Sequence, residues 1–85
     1  MNKTEKIKHV TKSVITFMAA LNYEVIDDEG GNLTFDNGSG DSNNYIDYHR
    51  SYQDVYVMNW ADDSTKDIAN KLEQFVKIVK QGLAQ

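Results

Sequence analysis

Apolar residues recur at three- and four-residue steps near both ends of the chain and at every second position in its middle. Ile7, Val10, Val14, Phe17, Met18 and Leu21 fall within an arc of about 100° at 100° per residue, which predicts a helix with one buried stripe. Glu5, Lys8, His9, Lys12 and Thr16 lie on its opposite side, and Ile15 sits off the stripe. Asn2 followed by Glu5 has the spacing of a capping box, and Asn22 is a left-handed stop. Ile68, Leu72, Phe75, Val76, Val79 and Leu83 make a second stripe of about the same width. Asp62, Asp63 and Ser64 offer N-caps for that helix. Asp67, three residues beyond Ser64, favours Ser64, and Gly82 is the expected end.

Between the helices the period changes to two. Tyr23–Asp27 and Asn32–Asp36 read as strands of a hairpin, joined by the turn Asp28–Gly31, with Leu33 and Phe35 sharing a face. Residues 37–44 (NGSGDSNN) contain no apolar side chain, so chain entropy favours a mobile loop. Tyr45–Ser51 reads as a third strand, with Ile46 and Tyr48 opposed to Tyr45, Asp47 and His49. Asp54–Trp60 reads as a fourth, and its faces are nearly equal: Val55 and Val57 against Tyr56, Met58 and Trp60. Two helices cover only one face of an open sheet, so one of these sets is expected to be exposed. The pattern as a whole predicts a single α+β domain over residues 1–85. Its order is an N-terminal helix, a three- or four-stranded antiparallel meander and a C-terminal helix, with both helices packed on one sheet face.

Composition narrows the chemistry. With 85 residues and no cysteine, disulfides, thiolate metal sites and a cysteine nucleophile are excluded. No apolar run is long enough to cross a bilayer, and no secretory signal is read at the N-terminus. The expectation is a soluble, cytoplasmic protein that does not bind membranes. The net charge of −4 is the sum of unequal blocks. Residues 23–67 hold eleven carboxylates against Arg50 and Lys66, a net of −9, whereas the segments on either side are +3 and +2. Sorting of this kind bears on partners rather than on fold.

Asp36 to Asn44 superficially resembles a calcium loop, but Gly38, Gly40 and Asp41 fall where an EF-hand needs two oxygen ligands and its glycine. His9 and His49 are on different elements without ligand spacing, so neither a metal nor any other cofactor is expected. Asp47, His49 and Ser51 alternate on one strand, and His49 with Asp47 could serve a small enzyme. Side chains at i and i+2 are about 7 Å apart, too far for a direct base–carboxylate hydrogen bond, and no nucleophile elbow or phosphate loop is present. Tyr45, Tyr48, Tyr52, Tyr56 and Trp60 suggest a base-stacking platform, but such platforms need positive surroundings. Here the neighbours are acids, which argues against direct nucleic-acid binding. Helix capping accounts for Asp62, Asp63 and Asp67. It leaves Asp27, Asp28, Glu29, Asp36, Asp41, Asp47 and Asp54, interleaved with Tyr45 and Tyr52, as candidate partner-binding residues. Tyrosine supplies rigid contact area, and carboxylates steer association and pair with arginine.

The order of helix, antiparallel strands and helix in under ninety residues, with an acidic middle, resembles the small phage-encoded anti-CRISPR proteins. The C-terminal segment Glu73-Gln74-Phe75-Val76-Lys77-Ile78-Val79-Lys80-Gln81-Gly82-Leu83-Ala84-Gln85 is similar to a helix of one such inhibitor. Members of that group imitate DNA phosphates with Asp and Glu and block the site where an RNA-guided nuclease reads its target. The resemblance implies an inhibitor of that kind, and it carries over no individual residue because no contact motif aligns. The leading expectation is therefore a non-enzymatic acidic binding domain, monomeric or weakly dimeric. It would dock on a basic protein surface, such as that of a CRISPR-type or other DNA-handling nuclease. Alternatives are an oligomerising module that uses a spare apolar strand face, and the small enzyme built on His49 and Asp47.

Overall fold

The computed structural model describes residues 1–84, and of Glu29 and Ala84 it describes the backbone alone. Helix α1 (Lys3–Ala20) leads into strands β1 (Glu24–Glu29), β2 (Asn32–Asp36), β3 (Ile46–His49) and β4 (Asp54–Val57), and helix α2 (Asp63–Ala84) follows. The strands form one antiparallel sheet in the order β1-β2-β3-β4, the expected meander with all four strands.

Local chemistry sets both ends of α1. Asn2 Oδ1 accepts from the Glu5 backbone N–H at 2.8 Å, and Asn2 Nδ2 donates to the Glu5 carboxylate at 2.9 Å. At the other end Asn22 takes φ = 66°. The Tyr23 N–H bonds Met18 O at 2.9 Å and the Asn22 N–H bonds Ala19 O at 3.0 Å. These are the paired bonds of a Schellman stop, and its apolar contact joins buried Met18 and Tyr23. In α2 the cap is Asp62 rather than Ser64: Asp62 Oδ1 accepts from the Thr65 N–H at 2.8 Å and from the Ser64 hydroxyl at 2.9 Å. Those donors, the backbone N–H first, hold the Asp62 carboxyl below its usual range. Gly82 does not end α2, which runs on through it to Ala84.

Both helices pack on one face of the sheet. Val10, Val14 and Met18 of α1 and Ala69, Leu72 and Val76 of α2 meet Leu33 and Phe35 of β2 and Ile46 and Tyr48 of β3. Phe17 and Phe75 join the helices by stacking at 4.5 Å. Ile15 is exposed. Each fully buried aliphatic or aromatic side chain contributes about 1.5–3 kcal/mol. Val55 and Val57 lie opposite Tyr48 and Ile46, so they face the helices, and Tyr56 faces away. Val55 and Val57 are thus the covered set of this segment, and Tyr56, Met58 and Trp60 the exposed one. Two buried hydroxyls, those of Tyr48 and Thr65, lack a hydrogen-bond partner. The Tyr48 hydroxyl is fully buried without a hydrogen bond, and burial first, then Asp54, pushes its pKa up to about 12.

Other boundaries depart from the sequence expectation. β1 extends to Glu29, so the turn shrinks to Gly30-Gly31, with Gly30 at φ = 58°, where a side chain would be strained. A bulge between Val25 and Asp27 makes room for Ile26. The 37–44 segment is internally bonded: Asn37, Ser39, Asp36 and Asp41 side chains accept from nearby backbone N–H groups, and Ser42–Asn44 forms a 3-10 turn. It is also tied to the start of α2, because Trp60 Nε1 donates to Asn43 Oδ1 at 2.6 Å and the Asp62 N–H donates to Asn44 Oδ1 at 2.9 Å. That tie ends β4 at Val57 and turns Trp60 out of the strand. No helix is long and apolar enough to cross a membrane among the described residues.

Candidate functional site

With the helices on one side, the other face of the sheet is left to the polar residues of each strand. The register sets them in rows. Glu24 lies opposite Asp36. Asp27, Thr34, Asp47 and Tyr56 form the next row, and Asn32, His49 and Asp54 the one beyond, with Glu29 beside Asn32 by backbone register. Asp27 and Asp47 are therefore two strand spacings apart, about 9.5 Å. Asp47 and Asp54 are diagonal neighbours at about 7–8 Å.

Side-chain contacts fix part of this surface. The Thr34 hydroxyl donates to Asp47 Oδ1 at 2.8 Å, which orients that carboxylate. The His49 ring lies against Tyr56 at 4.6 Å and 57°, and the Tyr56 hydroxyl donates to Asp54 Oδ2 at 3.4 Å. Tyr56 is 48% exposed, so its ring offers flat area beside the acids, and Trp60, held by Asn43 beyond the end of β4, is 64% exposed. Among the described residues, Glu24, Asp27, Asp36, Asp47 and Asp54 have no cation within 4.0 Å. Glu24 opposite Asp36 is a like-charge cross-strand pair, an arrangement that costs stability rather than adding it.

Charge is thus sorted by layer as well as by sequence. All eight lysines lie on α1 and α2. Arg50, in the turn after β3, is already engaged: its guanidinium pairs with the Asp28 carboxylate and donates to Gly30 O at 2.9 Å. Asp28 lies opposite Leu33, on the helix side of the edge strand, where it ties the β1–β2 turn to the end of β3.

The candidate partner-binding residues therefore separate. Asp27, Asp36, Asp47 and Asp54 share the open sheet face. Asp28 serves the Arg50 clamp. Asp41 caps the 3-10 turn, accepting from the Asn43 N–H at 3.0 Å. Tyr45 is half-buried at the start of β3, and Tyr52, 74% exposed, stands in the β3–β4 turn. The Glu29 side chain lies outside the described residues. His49 and Asp47 do share a face, but Asp47 is held by Thr34 and His49 by Tyr56, and no hydrogen bond joins them. No group of three or more His, Asp or Glu residues capable of holding a metal occurs among the described residues.

Sequence reasoning missed Tyr56, Thr34 and the pair Asn43 and Asn44. Tyr56 could have been found from the pairing. Once Ile46 and Tyr48 are the buried residues of β3, a meander partner that buries Val55 and Val57 must show Tyr56 beside Asp47. The clamp from Asn43 and Asn44 leaves no signal in periodicity. No family model matches the chain, and no curated protein or solved structure matches it.

Proposed function

We propose that this protein is a non-enzymatic binding domain whose open sheet face docks on a basic protein surface and competes there with nucleic acid. One observation carries the reading. Glu24, Asp27, Asp36, Asp47 and Asp54 occupy the face that no helix covers, without a cation within 4.0 Å among the described residues. A partner's arginines and lysines would supply the missing counter-charges, while Tyr56 and Trp60 supply flat apolar contact. The carboxylate spacing of about 7–10 Å fits side chains that otherwise grip successive phosphates. A nucleic-acid-handling nuclease, including one of the CRISPR type, is the partner class that this chemistry and the sequence resemblance favour.

The test is capture from a cell extract at low ionic strength, with elution on a salt gradient. The wild type should retain a basic nucleic-acid-handling protein that elutes as salt rises and that added DNA displaces. The variant Asp27→Asn/Asp47→Asn/Asp54→Asn should not retain it. Equal capture by both, or capture indifferent to salt, would remove the proposal.

A further inference from the structure

Three of the eight lysines converge on one hollow far apart in sequence. Lys3 and Lys6, from the first two turns of α1, and Lys80, near the end of α2, line a cleft of about 210 Å³ together with Ser51 and Gln53 of the β3–β4 turn. Its remaining walls are apolar: Ile7, Val10 and Leu83. Among the described residues no carboxylate lines it. None of the three lysines has a carboxylate within 4.0 Å among the described residues, whereas Lys71 and Lys77 each have one, on Asp67 and Glu73. The Lys6 side chain is half-buried. Lys3 and Lys6 also stand at the end of α1 where the helix dipole is already positive, a placement that disfavours cations. The cleft gathers positive charge that no carboxylate pairs with among the described residues.

Its volume equals that of about seven waters, too small for the 300–1,000 Å³ typical of drug-sized ligands and enough for a compact anion. We infer that this cleft binds a compact oxyanion of the phosphate class. The ammonium groups of Lys3, Lys6 and Lys80 donate charge-assisted hydrogen bonds to it, and the Ser51 hydroxyl and Gln53 amide add neutral donors. The inference is independent of the acidic sheet face and stands whether or not that face has a partner.

The experiment is an amide-shift titration of the whole chain with sodium phosphate, against sodium chloride at matched ionic strength. Phosphate should give saturating shifts at residues 3–7, at Ser51 and Gln53 and around Lys80, and chloride should not. Lys6→Gln and Lys80→Gln should each weaken binding about ten-fold, the loss of one charge-assisted bond. Lys12→Gln, outside the cleft, should leave it unchanged. Lys80 is exposed and Lys6 half-buried, and unaltered circular dichroism would confirm that both variants fold. Glycerol phosphate separates the sources: binding as tight as inorganic phosphate supports a site for esters, and weaker binding supports a site for the free anion. Absence of saturation, or equal weakening by Lys12→Gln, would overturn the inference in favour of bulk screening. Tighter binding of a duplex oligonucleotide, lost in Lys80→Gln, would overturn it in favour of a nucleic-acid backbone.

Discussion

Replacing Tyr48 by Phe should make this protein more stable. The Tyr48 hydroxyl is fully buried and has no hydrogen-bond partner, so folding strips it of water without compensation. An unsatisfied buried polar group costs about 1–3 kcal/mol. Removing it leaves a void the size of one oxygen atom, which at about 24 cal/mol per Å³ returns only a few tenths of a kcal/mol. The net gain is about 1–2 kcal/mol. For a domain of this size that raises Tm by about 4–8 °C per kcal/mol. The same hydroxyl sets an alkaline limit. Its pKa is about 12 in the folded protein against 10 in the unfolded chain, because burial disfavours the phenolate. A raised folded pKa means that the unfolded state loses its proton first. The stability is complete below pH 10 and falls as pH rises towards 12, by about 2–3 kcal/mol. Urea unfolding followed by circular dichroism, at pH 7 and at half-unit steps above pH 9, reads both effects. Tyr48→Phe should gain at pH 7 and lose most of the alkaline decline. A smaller slope should persist, because burial and the nearby Asp62 and Asp36 also raise the Tyr23 pKa. A variant less stable than the wild type at pH 7, or one with an unchanged alkaline slope, would refute the reasoning.

Other substitutions test the remaining contacts. Glu24→Gln removes one side of the like-charge pair with Asp36 and should raise stability by about 0.2–1 kcal/mol, a gain that vanishes near 1 M salt; urea midpoints at two salt concentrations measure it. Asn43→Ala frees the Trp60 indole N–H, and should shift tryptophan fluorescence and speed amide exchange over residues 41–45 while costing about 0.5–1.5 kcal/mol. Asp62→Ala removes the α2 cap. Because the Asp62 pKa is lowered in the folded state, its stabilisation is present above the ordinary carboxylate range and is lost as pH falls through the lowered value. Thermal unfolding should show the variant with a lower Tm at pH 7 and a shallower acid decline.

The elements that periodicity governs were legible from the residues alone. The stripes of α1 and α2, the Leu33 and Phe35 face and the Ile46 and Tyr48 face each repeat at the period of their structure, and together they dictate two helices on one side of a meander. Asn2 with Glu5, and Asn22, were legible because capping is chemistry within one helical turn. What failed to show was non-local. Ser64 and Asp62 offer the same cap, and the choice falls to Asp62 because its N–H is already held by Asn44, eighteen residues away. The polar 37–44 segment reads as mobile until Trp60 is seen to anchor it. The acidic character of the site was visible in the charge blocks, but its membership was not. Asp28 differs from Asp27 only by one step along β1, and that step carries it to the helix side and to Arg50.

The claim at the centre of this account is that the open sheet face, and not acidity in general, makes the interaction. Two variants separate these. Asp27→Asn/Asp47→Asn/Asp54→Asn removes three charges from the sheet face, and Glu5→Gln/Asp67→Asn/Glu73→Gln removes three from the helices. The direct measurement is the Kd of each, by calorimetry at fixed salt, for the basic protein that the wild type captures. At about 1 kcal/mol for each exposed ion pair, the sheet-face variant should bind about a hundred-fold more weakly. The helix variant should stay within about three-fold of wild type. Equal losses from the two variants would contradict the account, because net charge alone would then explain the binding.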